Sequence, residues 1–271
     1  MRSKHGYDRN LKNAPRGDFS CYVKKVELNY KNSLSSYSPP SRSCVNGSLP
    51  SVPLRWGQAL LQERFLLFMA SVFLVSVPVF AEAPLVRWLP ALSLLITGLW
   101  FGIGIKLYRS RKARLWGDLL IGFAWTWLAG SVYWGWLRWE PLLHLPVEAI
   151  GLPFVLVLMA RRQSVIGCWF YLGSLFGTAV TDLYFYATDL VPFWRQLMQV
   201  EPESASLVLR AALGQVLAPT GFFWASLLAT VLLLVGTVPL QYQQLRYWGF
   251  AGAVLSTILV DTLFLLAAIA A

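Results

Sequence analysis

Three carboxylates, Glu148, Asp182 and Asp261, stand inside long apolar stretches of this 271-residue chain. A carboxylate at the centre of a bilayer costs about 2.5 to 3.5 kcal/mol on insertion scales, so each needs a partner or a task. Facing one another inside a helical bundle, the three would make a proton relay or a cation site. Hydrogen-bonded singly to Trp, Tyr, Ser or Thr, they would be packing contacts. Asp261 is the clearest case, near the middle of the last apolar run, and under the relay reading Asp261→Asn removes the coupling. Asp118, beside a basic loop, is expected to be solvated.

The densest mixture of polar and aromatic residues runs from Trp134 to Glu148 and holds Arg138, Glu140 and His144. Glu140, His144 and Glu148 recur every four residues, so an unbroken helix would put them on one face as an acid/base or metal constellation. Pro141 and Pro146 oppose an unbroken helix. A helix beginning at Pro141 instead makes Arg138, Glu140 and His144 an interfacial polar cluster. A lipid-modifying reaction through His144 would need both carboxylates within hydrogen-bond reach of the ring. The chain has two histidines and three cysteines, with no CxxC pair, so neither a metal site nor a disulfide framework is expected. Without a Walker loop, GxSxG, HExxH or dinucleotide glycine pattern, no catalytic residue is assigned.

Trp125, Trp127, Trp134 and Trp136 surround the third apolar run. They could hold a carotenoid, a chlorophyll tail or a quinone, or they could be bundle packing and an aromatic belt. No cofactor is predicted from them, although a bound pigment or lipid fits the pattern. Gly98 with Gly102, and Gly173 with Gly177, are GxxxG pairs where close helix contact is expected.

These residues must be positioned by membrane-spanning elements. The chain is 56% hydrophobic and 13% charged, against roughly 25% charged in soluble domains. Apolar runs of about 20 residues, enough to cross a ~30 Å hydrocarbon core, follow one another. The runs are Phe65 to Ala81, Trp88 to Tyr108, Trp116 to Leu137, Leu142 to Ala160, Gln163 to Ala187, a sixth bracketed by Pro219 and Pro239, and Tyr247 to Ala270. An interfacial segment from Arg55 to Arg64 is expected to precede the first. The fold class is therefore an all-α polytopic transmembrane bundle of about seven spans. Placing the amino terminus in the cytoplasm puts Arg55, Arg64, Lys106, Arg109, Arg111, Lys112, Arg114, Arg161, Arg162 and Arg246 inside. Only Arg87, Arg138, Arg195 and Arg210 fall outside, as the positive-inside bias requires. The longest outer loop, Thr188 to Ala218, is expected to lie on the membrane surface or to form a lid over an outward-opening site.

Residues 1–53 form a separate segment rich in Ser, Asn, Lys and Pro, expected to be a disordered basic tail, with residues 54–271 as the transmembrane domain. It has no apolar core like that of a secretory signal; a transit peptide, or a start placed too far upstream, would each account for it. The net charge of +10 fits attraction to the lipid bilayer, and nucleic acid is not expected as a partner.

From Leu119 through Trp125, Trp127, Gly130 and Trp134 to Pro141, and again from His144 to Pro153, the sequence resembles an uncharacterised cyanobacterial membrane-protein family, domain of unknown function 3120. The resemblance extends from about Leu54 to the carboxyl end. It implies an integral, multi-pass protein of a cyanobacterial plasma or thylakoid membrane and brings no established activity. Two functions are expected: a small secondary carrier or accessory membrane subunit with acidic residues inside the bundle, or a non-catalytic assembly or pigment-associated factor that binds other membrane subunits. Helices interrupted near the carboxylates would favour the carrier.

Overall fold

The computed structural model describes residues 55–270; the 1–53 tail, with His5, Cys21 and Cys44, lies outside them. Among the described residues all regular structure is helical. Helix α1 spans Arg55–Trp88, α2 Pro90–Arg109 and α3 Arg114–Val132, which runs on into a π-helical turn, Tyr133–Leu137. The fourth apolar run is broken into a 3-10 turn at Pro141–Leu143, α4 at His144–Glu148, a second 3-10 turn at Ala149–Gly151, and α5 at Leu152–Ala160. Helix α6 covers Val165–Ala187, α7 Val191–Leu197, α8 Pro202–Val216, α9 Pro219–Thr237 and α10 Leu245–Ala270.

Five segments are long and apolar enough to cross a membrane: Leu61–Trp88, Pro90–Arg109, Pro141–Ala160, Pro219–Gln241 and Leu245–Ala270. Helices α3 and α6 are not among them, for a structural reason. Helix α3 packs against α2 and α6, and α6 against α3 and α10, so much of their surface meets protein instead of lipid. Glycine, serine and aromatic residues replace aliphatic ones there, as helix contacts inside a membrane favour. One core joins Leu67, Leu119, Phe123, Trp127, Phe170 and Ala253 from α1, α3, α6 and α10.

The α3–α6 crossing brings backbones together. A Cβ on Gly122 would strike the carbonyl of Gly167, and one on Gly167 would strike the carbonyl of Asp118. Asp118 is buried at this crossing, not solvated. Its carboxylate accepts from the Ser164 hydroxyl at 2.7 Å and from the Gly167 and Ile166 N–H groups at 2.9 and 3.1 Å. It satisfies the first N–H groups of α6 from a neighbouring helix, because Ser164, at φ 49°, does not cap its own.

Of the two GxxxG pairs, Gly173 and Gly177 meet Phe250 and Thr257 of α10, whereas a Cβ on Gly98 or Gly102 meets nothing within 4 Å. The segment from Arg55 to Arg64 belongs to α1, and α1 runs on to Trp88, which draws Glu82 into the bundle.

The turns sort to two ends. At one, the Tyr108 hydroxyl accepts from the Ser164 N–H at 3.3 Å and from the Arg114 guanidinium at 3.0 Å. At the other, Arg195 pairs with Glu140 at 2.8 Å.

Candidate functional site

The break in the fourth apolar run is built into its sequence. Glu140 takes the N-cap position, its side chain accepting from the Leu142 N–H at 3.2 Å, and Pro141 starts the 3-10 turn. Helix α4 therefore begins at His144 and lasts five residues. The carbonyl of Glu148, where α4 ends, accepts from the buried Tyr171 hydroxyl at 2.6 Å. Tyr171→Phe is expected to lower stability by about 1 kcal/mol by leaving that carbonyl unpaired, seen as a lower unfolding midpoint in detergent.

This short helix presents His144 and Glu148 to the interior. His144 Nδ1 lies 2.8 Å from Asp182 Oδ1 on α6, and Nε2 lies 4.0 Å from Glu148 Oε1. Glu148 and Asp182 are both buried, at 9% and 8% exposure. The Tyr133 ring, from the π-turn, sits 4.3 Å from the imidazole, and the second oxygen of Asp182 is buried without a partner. A carboxylate only accepts, so Nδ1 donates the proton of the short contact and Nε2 faces Glu148. At 4.0 Å that second contact is electrostatic, not a hydrogen bond. An unprotonated Nε2 facing an ionised Glu148 sets a lone pair against a negative charge. A proton carried on either group removes the conflict.

Glu82, which the sequence reading missed, adds a further buried carboxylate. Ser131 donates to its Oε1 at 2.8 Å. Having one hydrogen, Ser131 must then accept from Ser93, whose Oγ lies 2.6 Å away. The signal was available: Glu82 is the only charged residue between Arg64 and Arg87, an interval of span length. Ending the first helix at Ala81 hid it.

Asp261 stands apart from His144, accepting from Thr181 at 3.1 and 3.3 Å. The three carboxylates expected to act together therefore divide: Glu148 and Asp182 meet at His144, and Asp261 takes a separate partner. Glu140 turns away to Arg195, so the i, i+4 series stops at His144 and Glu148. His144 faces Asp182 and Glu148, whereas Glu140 faces Arg195. The Arg138 guanidinium lines a separate cavity of about 260 Å³ with Arg87, Leu197 and Met198. Trp125, Trp127 and Trp134 each pack on other aromatic rings, Trp125 stacking on Phe154 at 4.8 Å and Trp127 meeting Trp100 edge-on at 5.9 Å, while Trp136 is exposed.

The segment from Thr188 to Ala218 contains two helices, and α7 closes onto the broken apolar run. Trp194 donates from Nε1 to the Arg138 carbonyl at 2.7 Å and packs against Trp134 and Phe185. The Arg195 hydrogen bond holds the Glu140 carboxyl below its ordinary value of 4.5. A depressed carboxylate contributes stability above its unfolded pKa and loses it as pH falls through the folded value. The difference in unfolding midpoint between wild type and Glu140→Gln should therefore be present at neutral pH and close below 4.5.

An all-helical bundle with five segments apolar enough to span a bilayer, enclosing a histidine–carboxylate cluster, defines an integral membrane protein. The chain belongs to the family described as Protein of unknown function (DUF3120), which matches residues 71–269 and so includes every residue of the cluster. Comparison with curated proteins and with solved structures finds no match.

Proposed function

We propose that the protein is a small secondary carrier in which His144, Asp182 and Glu148 take up and release the coupling proton. The observation that carries this reading is the 2.8 Å His144–Asp182 contact, with Glu148 at 4.0 Å, located where a spanning segment is interrupted. Intramembrane ionisable groups at a broken helix are a recurring feature of carrier sites. Asp182 lies five residues before the end of α6, about 7 to 8 Å along the axis at helical rise. The cluster is thus nearer the end covered by α7, and we read α7 as the cover of an outward-opening path.

The carrier has seven crossings in this reading, with α3 and α6 added to the five apolar segments and the residues before α1 on the cytoplasmic side. The sorting of turns supports it: Tyr108, Arg114 and Ser164 gather at one end, Glu140 and Arg195 at the other.

The test uses proteoliposomes holding a pH-sensitive dye, with a potential imposed by potassium and valinomycin. A panel of monovalent cations and small organic anions is then added outside. Proton movement above that of empty vesicles is expected, and His144→Gln should return it to background. Equal movement by wild type and His144→Gln would remove the cluster from the coupling. Asp261→Asn, run in parallel, reports whether the Thr181–Asp261 pair belongs to the same path.

A further inference from the structure

At the end of the bundle opposite α7, a half-open cavity of about 350 Å³ is lined by Met159, Arg162, Val165, Trp169 and Arg246. Its walls come from the end of α5, the turn that follows, and the first turns of α6 and α10. Two donors are buried there without an acceptor, the indole Nε1 of Trp169 and the Nε of Arg246. Neither side chain is loosely held. The Arg246 guanidinium lies over the rings of Tyr247 and Trp169, 4.8 and 5.8 Å from their centroids, and donates to the Tyr247 hydroxyl at 3.2 Å. Trp169 is braced edge-on by Tyr247 and Phe250. Among the described residues no carboxylate lies within 4.0 Å of Arg162 or Arg246.

Two arginines without a carboxylate leave this cavity with uncompensated positive charge. We infer that it binds a phosphate oxyanion, carried by the headgroup of an anionic phospholipid in the leaflet facing the basic turns. The chemistry is matched on three counts. A guanidinium presents planar, forked donors suited to phosphate oxygens. Met159 and Val165 give an apolar wall against which the lipid's glycerol and acyl portion can lie. The cavity also opens at the end of the bundle where Arg111, Lys112 and Arg114 form the neighbouring turn, and basic pockets between helices bind such headgroups. The inference does not rest on the carrier reading.

The test is native mass spectrometry of the full-length protein released from nanodiscs of equimolar phosphatidylcholine and phosphatidylglycerol. Wild type should retain phosphatidylglycerol through delipidation. Arg162→Gln combined with Arg246→Gln should reduce retention about tenfold or more, the loss expected for one charge-assisted hydrogen bond. Arg162→Gln alone should reduce it by a smaller factor and serves as the test if the double variant does not fold. Inorganic phosphate titrated calorimetrically into protein in phosphatidylcholine nanodiscs distinguishes the source. Saturable phosphate binding lost in the variants, without lipid retention, would keep the oxyanion site and assign it to a soluble ligand. Equal lipid retention by wild type and all variants, with no phosphate binding, would overturn the inference.

Discussion

Asp182→Leu is expected to be among the most damaging single changes in this protein, lowering stability by about 3 to 5 kcal/mol. That is the usual cost of removing one partner from a buried ionic pair. It would leave the His144 N–H without its acceptor beside Glu148. Asp182→Asn separates stability from coupling. The amide oxygen still accepts from Nδ1, so the structural loss should fall to about 1 kcal/mol, while the ionisable group is gone and proton movement should stop. Denaturation midpoints in detergent and proton movement in proteoliposomes, measured on the same preparations, provide both readings. Wild-type movement by Asp182→Asn would mean that Asp182 only orients His144.

The second large effect is expected at Gly167. A valine there would place its Cβ against the Asp118 carbonyl and the Gly122 amide, backbone atoms of a crossing that cannot yield by a rotamer change. Overpacking costs about 1 to 3 kcal/mol where side chains can move, so Gly167→Val should reach or exceed the top of that range. It would also push the Gly167 N–H away from the Asp118 carboxylate that anchors α6. Gly98→Ala on α2 is the control. Its Cβ would meet open space, and by helix propensity it should be neutral or stabilising by up to about 1 kcal/mol. Thermal unfolding of the two variants side by side should separate them clearly. Similar midpoints would mean that the α3–α6 crossing tolerates more spacing than the structure indicates.

His144 illustrates how far sequence reasoning reached and where it stopped. Its spacing to Glu148 was legible because i, i+4 neighbours on a helix share a face. Its principal partner, Asp182, is 38 residues away on another helix, and no local period connects them. Asp118 was expected in solvent because it follows a run of Lys and Arg, yet its carboxylate is folded under the start of α6, whose N–H groups have no cap of their own. Glu82 was passed over because the first span was ended at its last uninterrupted apolar stretch, while α1 continues through Pro78 and Pro84. For α3 and α6 the periodicity marked helices, but their place at the centre of the bundle came from what surrounds them.

Composition and proline placement were enough for the helical membrane class, the approximate limits of most helices, the break in the fourth apolar run and the asymmetry of basic residues between turns. Each is set by composition over a window of about 20 residues or by backbone chemistry at a single proline, so each can be read along one dimension. Which buried charges meet is settled only in three dimensions. That depends on the rotation of each helix about its axis and the distance at which helices cross, and glycine contacts such as Gly122 with Gly167 set that distance. Two carboxylates at equal depth in a membrane can face each other or face opposite neighbours, and for Asp182 and Asp261 the packing of α4, α6 and α10 made that choice.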